Sequence, residues 1–102
     1  MRQKQDITAI IYDKRGRILS IGKNSYTKTH TLMFELGKFV GKPEAIYLHA
    51  EVDAILRCQD LDKAYSIFVS RTLKSGGYGN ASPCSICQEA IRRAGIQVIK
   101  HT

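Results

Sequence analysis

The sequence predicts an α/β domain in which an N-terminal β-hairpin is followed by helix-connected strands in a mixed sheet. Apolar residues alternate near the start of the chain, which is typical of paired strands. Further along, stretches with apolar residues at helical spacing are separated by short, continuously apolar runs. Strands joined by helices pair in parallel through right-handed crossovers, and the helices cover the sheet. The predicted architecture is a three-layer sandwich.

The hairpin and the first helix are the first predicted elements. Apolar residues alternate over residues 7–12, the turn DKRGR offers Gly16 for a positive φ, and apolar residues resume over 18–21. A polar segment follows at residues 22–30. Apolar spacing over residues 32–40 then predicts a helix. The apolar residues of that helix are Leu32, Phe34, Leu36, Phe39 and Val40.

A second helix is predicted to begin at His49. Pro43 and the extended residues 46–48 precede it, and apolar residues at helical spacing continue to a helix end near Gln59. Cys58 falls within this apolar pattern, so we expect it to be a small buried hydrophobic residue; a catalytic thiol is the alternative.

The second half of the chain predicts two more strands and a third helix. Residues 64–73 are continuously apolar at their centre, as expected of a strand buried on both faces. The glycine-rich residues 74–83 predict a loop. Pro83 suits the first turn of the third helix, and Gly95 suits its C-terminal cap. Residues 96–102 predict the last strand.

Composition indicates one globular domain spanning residues 1–102. Hydrophobic content of 43% and charged content of 25% argue against disorder and coiled coil, and no apolar run is long enough for a membrane span. The opening residues lack a signal-peptide core, and the odd number of cysteines fits a reducing compartment, so we expect a cytoplasmic protein. The net charge of +7 either attracts phosphate-bearing molecules or reflects an ordinary solvated surface.

Two short motifs carry the candidate chemistry. HAE contains His49 and Glu51, and PCSIC contains Cys84 and Cys87. Cysteines three positions apart in the first turn of a helix place both sulfurs on one face, and His49 can add a third ligand from another helix start. Three protein ligands with a fourth position open are typical of catalytic zinc, and Glu51 can then exchange protons with metal-bound water.

The same motifs are compatible with two other kinds of site, a structural zinc site and a redox-active cysteine pair. A structural zinc site would close with a fourth protein ligand, for which His30, His101 or Cys58 are candidates. A CxxC pair at a helix start is also found in thioredoxin-like redox proteins, although this chain has no tryptophan. The co-occurrence of both motifs favours the catalytic zinc site.

With these motifs the sequence resembles the zinc-dependent cytidine and deoxycytidylate deaminase superfamily, whose signature is H-x-E followed by P-C-x-x-C. The segments HAEVDAIL and PCSICQEAIRRAGI are most similar to small deoxycytidylate deaminases, and the resemblance covers most of the chain. It implies a cytidine-deaminase-like sandwich, shortened at both ends. It also implies that His49, Cys84 and Cys87 hold Zn²⁺, with zinc hydroxide as the nucleophile and Glu51 as the proton shuttle.

Substrate contacts follow partly from this resemblance and partly from the polar segment. The resemblance implies that Asn24 contacts the sugar of the substrate; the alternative for Asn24 is an ordinary turn residue. It also implies that the backbone near Ala50 and Ser82 contacts the base. Lys28 lies in the polar segment and can bind a phosphate, unless that segment is an ordinary solvated loop. Tyr78 can stack on a base or only cap the loop.

The expected activity is hydrolytic deamination of a cytosine nucleotide or nucleoside. A deaminase of nucleic acid, acting on tRNA adenosine or single-stranded cytosine, is the first alternative, because the basic charge permits it. A non-catalytic binding module stabilised by zinc is the second. Open sheet edges predict a homo-oligomer, and no membrane partner is expected.

Overall fold

The computed structural model describes residues 6–42 and 47–102. Pro43 and part of the extended segment expected before the second helix lie outside the described residues. Within those ranges the elements are β1 (Asp6–Tyr12), β2 (Ile18–Lys23), α1 (Thr31–Phe39), α2 (Ala50–Arg57), a short 3-10 helix (Leu61–Lys63), β3 (Ser66–Thr72), β4 (Tyr78–Gly79), α3 (Ser85–Ala94) and β5 (Val98–His101). The predicted α/β fold class, with a hairpin and helix-connected strands in a mixed sheet, is confirmed.

The described strands form one mixed five-stranded sheet. β1 lies between β2 and β3 and is antiparallel to both. β3 pairs along its first half with β5 in parallel, and along its last residues with β4 in antiparallel. The parallel pair β3 and β5 is joined through α3, which is the helical crossover that the element order predicts.

The tightest packing of the sheet is on one face. Ala9, Ile11, Ile67 and Val69 point to that face and are 0% exposed, whereas the neighbouring Phe68 on the opposite face is only partly buried. The expectation that β3 is buried on both faces is therefore wrong. Side chains alternate along a strand, and the fully buried ones are on the face that packs against the helices.

Residues at the start of α1 and at the end of α3 explain where these helices begin and end. His30 caps α1, because its Nδ1 accepts the backbone N–H of Leu32 at 3.0 Å. Gly95 ends α3 in the left-handed conformation at φ 77°, as predicted. Not all apolar residues of the α1 pattern face the core. Phe34 and Phe39 are 44% and 63% exposed, because a nine-residue helix buries one face only.

The glycine-rich residues 74–83 are not a continuous loop. Tyr78 and Gly79 form β4 and pair with Thr72 and Arg71, so the loop prediction is wrong for these two residues. Gly76, at φ 92°, supports the turn that returns the chain to β3. Among the described residues, no helix combines the length and apolarity needed to cross a membrane.

Candidate zinc site

The candidate ligands lie at the starts of two helices that pack side by side. His49 is the N-cap of α2, with extended backbone at φ −83° and ψ 154°. Cys84 is the N-cap of α3, and Cys87 lies in the first turn and is 0% exposed. The prediction that both cysteines belong to the first turn needs a correction, because Cys84 precedes the helix. Pro83 likewise lies before α3 and not in its first turn.

The three side chains are close enough to share one metal ion. His49 Nδ1 lies 3.3 Å from Cys87 Sγ and 3.4 Å from Cys84 Sγ. All three candidate ligand atoms lie within 4.8 Å of one another. With Zn–S near 2.3 Å and Zn–N near 2.0 Å, tetrahedral geometry puts neighbouring nitrogen and sulfur atoms about 3.5 Å apart. The residues therefore fit a zinc ion.

The other cysteine and histidines of the chain do not belong to this cluster. His30 caps α1, and His101 Nδ1 lies 3.0 Å from the backbone oxygen of Thr102. Cys58 is buried at the end of α2, as expected of a small hydrophobic residue. Among the described residues, the cluster that could hold a metal contains His49 and the two cysteines of PCSIC. Three ligands leave the fourth tetrahedral position to water or substrate.

The electrostatics of the cluster favour thiolate at Cys84. The hydrogen bonds with the Cys87 thiol and with His49 together lower the pKa of Cys84 to about 3, against the opposing effect of burial. The hydrogen bond between the two cysteines, together with burial, raises the pKa of Cys87. The partial positive charge of each helix N-terminus also stabilises anionic sulfur nearby.

Glu51 lies beside the cluster without belonging to it. It is in the first turn of α2, it is 5% exposed, and its carboxylate accepts a hydrogen bond from the Cys87 thiol. Burial raises the pKa of Glu51, because a carboxylate loses solvation there. A buried carboxyl group next to a candidate metal site is suited to holding and releasing a proton.

β2 approaches α2 closely at the turn that carries these residues. A Cβ on Gly22 would lie 2.2 Å from Ala54 N and 2.4 Å from Ala50 O, so only glycine fits. The Ser20 hydroxyl donates to the Ala54 carbonyl oxygen at 2.6 Å. Asp53 Oδ2 accepts the N–H at the end of β2 at 3.0 Å. We name this contact the β2–α2 seam; the sequence pattern alone did not reveal it.

The polar segment expected to contact substrate is attached to the residue before His49. Ser25 N–H donates to the Leu48 carbonyl oxygen, and Leu48 N–H donates to the Lys28 carbonyl oxygen, both at 2.9 Å. Asn24 follows β2, and its Oδ1 accepts a backbone N–H of β1 at 3.0 Å. The side chain of Lys28 is exposed. The segment thus lies next to the start of α2.

The remaining predicted contact residues have different surroundings. Ala50 is 1% exposed at the start of α2. Ser82 is exposed, and its N–H donates to Asn80 Oδ1 at 2.9 Å in a tight turn. Tyr78 lies in β4 and is 71% exposed, so its stacking on a base stays a prediction.

Fold and site together define a class of protein: an α/β domain with a histidine and two cysteines around a metal position, beside a buried glutamate. The family model for the cytidine and deoxycytidylate deaminase zinc-binding region matches residues 2–101, and the chain belongs to this family. Membership supports a zinc deaminase and Zn²⁺ as the cofactor. No curated protein matches the chain.

Proposed function

We propose that this protein is a zinc-dependent hydrolytic deaminase of the exocyclic amine of a cytosine nucleotide or nucleoside. The observation that carries the proposal is the place of Glu51. Its carboxyl group is buried, contacts Cys87, and is not one of the residues that could hold the metal. A structural zinc module has no need of such a group.

His49, Cys84 and Cys87 would hold the zinc ion. When bound, zinc lowers the pKa of water and so provides a nucleophile near neutral pH. Hydrolytic deamination replaces the amino group by oxygen and releases ammonia. Glu51 would take one proton from the attacking water and give it to the ring nitrogen, and would then take the second proton, from the hydroxyl on the attacked carbon, and give it to the leaving amine. Its raised pKa makes the protonated carboxyl accessible during turnover.

Substrate recognition would come from both sides of the site. We assign the sugar contact to Asn24, base contacts to the backbone near Ala50 and Ser82, and a phosphate contact to Lys28. The hydrogen bonds between the polar segment and Leu48 support this assignment, since they keep Lys28 near the start of α2. Tyr78 would stack on the base from β4.

Three further expectations stay predictions of the sequence: a single domain over residues 1–102, association into a homo-oligomer, and a cytoplasmic location. The nucleic-acid deaminase and the non-catalytic zinc module are outcomes of the experiment below.

The test follows ammonia release from cytidine, deoxycytidine, their monophosphates, adenosine and a short single-stranded oligonucleotide. The proposal predicts turnover of a cytosine nucleotide or nucleoside. It predicts that Glu51→Gln keeps its zinc but loses about 10²- to 10⁴-fold in kcat, the typical contribution of a general acid–base group. Glu35→Gln, the same change at an exposed position of α1, should have wild-type activity.

Three results would contradict the proposal. Full activity of Glu51→Gln would exclude the proton-transfer role, and no ammonia from any compound would favour the zinc-stabilised module. Preferential turnover of the oligonucleotide would favour the nucleic-acid alternative.

The phosphate contact has its own test. Lys28→Gln should raise KM for the monophosphate by about tenfold, the usual effect of one lost charge-assisted hydrogen bond, and leave KM for the nucleoside unchanged. Lys63→Gln, an exposed lysine of the 3-10 helix, is the matched control. Equal effects on nucleotide and nucleoside would rule out a phosphate contact at Lys28.

A further inference from the structure

Thr102 follows β5 and connects several separate parts of the chain by hydrogen bonds. Its hydroxyl donates to the Gly79 carbonyl oxygen at 2.6 Å and accepts the backbone N–H of Arg71 at 3.1 Å. Its backbone N–H donates to the Val69 carbonyl oxygen at 3.0 Å, and its backbone oxygen accepts the N–H of Ala81 at 2.9 Å. One residue therefore links β3, β4 and the segment after β4.

That segment, residues 80–83, leads directly to Cys84 and belongs to no helix or strand. Its backbone is held by hydrogen bonds from Ala81 to Thr102, from Ser82 to Asn80, and from the Gln88 side chain to Pro83. The bond between Asn80 and Ser82 is internal to the segment, and the Gln88 bond comes from α3. Among the hydrogen bonds between described residues, the one from Ala81 to Thr102 joins the segment to the sheet.

The position of Cys84 depends on this segment more than the position of Cys87 does. Cys87 lies within α3, where the helix backbone fixes the direction of its side chain. Cys84 is the N-cap, with extended backbone at φ −72° and ψ 173°, so the chain before it also orients its sulfur. The 3.4 Å distance from Cys84 Sγ to His49 Nδ1 therefore needs a fixed path over residues 80–83.

We propose that Thr102 is a positioning residue for the metal site: it fixes residues 80–83 against the sheet and thereby holds Cys84 in ligand geometry. The inference rests on the zinc site of the proposed function. It concerns metal affinity and not the chemical step. Because Ser82 belongs to the same segment, the contact with Thr102 also limits where the backbone near Ser82 can meet a substrate.

The experiment measures the zinc affinity of the folded protein by competition with a zinc-binding dye, well below the melting temperature. Thr102→Val keeps the side-chain shape and removes the hydroxyl, so the hydrogen bonds from residue 102 to Arg71 and Gly79 are lost and the backbone oxygen that accepts from Ala81 is held less firmly. We expect about tenfold weaker zinc binding. This is the lower end of the loss seen when a residue that orients a metal-ligating side chain is removed. Thr102→Ser keeps the hydroxyl and should restore wild-type affinity.

Thr8→Val is the matched control, because Thr8 alternates with the buried Ala9 and so lies on the opposite face of the sheet. Unchanged zinc affinity in Thr102→Val, even with a lower melting temperature, would reduce Thr102 to a sheet-stabilising residue and overturn the proposal. An equal loss of affinity in Thr8→Val would overturn it as well.

A second measurement applies if Thr102→Val does not fold. In hydrogen exchange on the wild-type holoprotein, the Ala81 amide should be protected as strongly as amides of β5, because its acceptor is Thr102. Exchange at Ala81 as fast as in the exposed turn at residues 74–77 would overturn the proposal. A protein that binds zinc as described but releases no ammonia would contradict the proposed function and leave this inference standing.

Discussion

Replacing Gly22 by alanine tests whether the β2–α2 seam positions the site. The added methyl carbon would lie 2.2 Å from Ala54 N and 2.4 Å from Ala50 O, and ordinary contact begins at 3.4 Å. Both neighbours are backbone atoms, which cannot rotate away. β2 and α2 must therefore separate locally by at least about 1 Å.

This displacement reaches the chemistry directly, because Ala50 lies between His49 and Glu51. A misplacement of about 1 Å at a catalytic group costs about 10²-fold in rate. Overpacking of this kind also costs about 1–3 kcal/mol of the free energy of unfolding. We thus expect Gly22→Ala to fold with reduced stability and to lose about two orders of magnitude in kcat/KM.

The assay combines kcat/KM on the best substrate, zinc content of the purified protein, and urea denaturation. Gly77→Ala is the matched control, since a Cβ at Gly77 meets no atom within 4 Å. Wild-type activity in Gly22→Ala would refute the reasoning that the seam sets the position of α2. So would an equal loss in Gly77→Ala.

Three other predictions concern stability and metal content. Ser20→Ala removes the buried hydrogen bond to a carbonyl oxygen of α2 and should lower the free energy of unfolding by about 1 kcal/mol in urea titrations. The backbone hydrogen bond from Arg17 lowers the pKa of Asp13 below its ordinary 3.8, so Asp13 stabilises the fold above that pH. This contribution should fade as the pH falls through the lowered pKa, and the stabilities of wild type and Asp13→Ala should converge there; a constant difference would argue against it. Cys84→Ser should lose zinc in metal analysis while Cys58→Ala retains it, and zinc loss in both would contradict the assigned ligand set.

Elements built from local patterns could be predicted from the sequence. The hairpin follows from strand alternation and a glycine in its turn, and Gly16 indeed has φ 84°. The starts of α2 and α3 were predicted to within a residue or two, because His49 and Pro83 mark changes of backbone conformation. Since the chemistry depends on these two helix starts, the candidate metal cluster could be predicted as well.

Features that depend on distant partners could not be predicted. β4 forms only because Tyr78 and Gly79 meet the end of β3, and two residues carry no periodic signal. In the sequence Gly22 looks like any glycine near a strand end. The structure shows that a glycine is needed there because the backbone of α2 approaches too closely for a side chain. Thr102 has hydrogen-bond partners that lie far from it in sequence, including Arg71 and Gly79. Such contacts become visible only when the sheet is assembled.

Because His49 and Cys84 are 35 residues apart, the ligand set exists only while both helix starts are packed together. An unfolded chain retains little more than the nearby cysteine pair, so the ion binds the native form preferentially and folding is thermodynamically linked to free-zinc concentration. Each tenfold excess of free zinc over its dissociation constant adds about 1.4 kcal/mol to native stability. A chelating buffer would therefore lower the melting temperature as well as the activity.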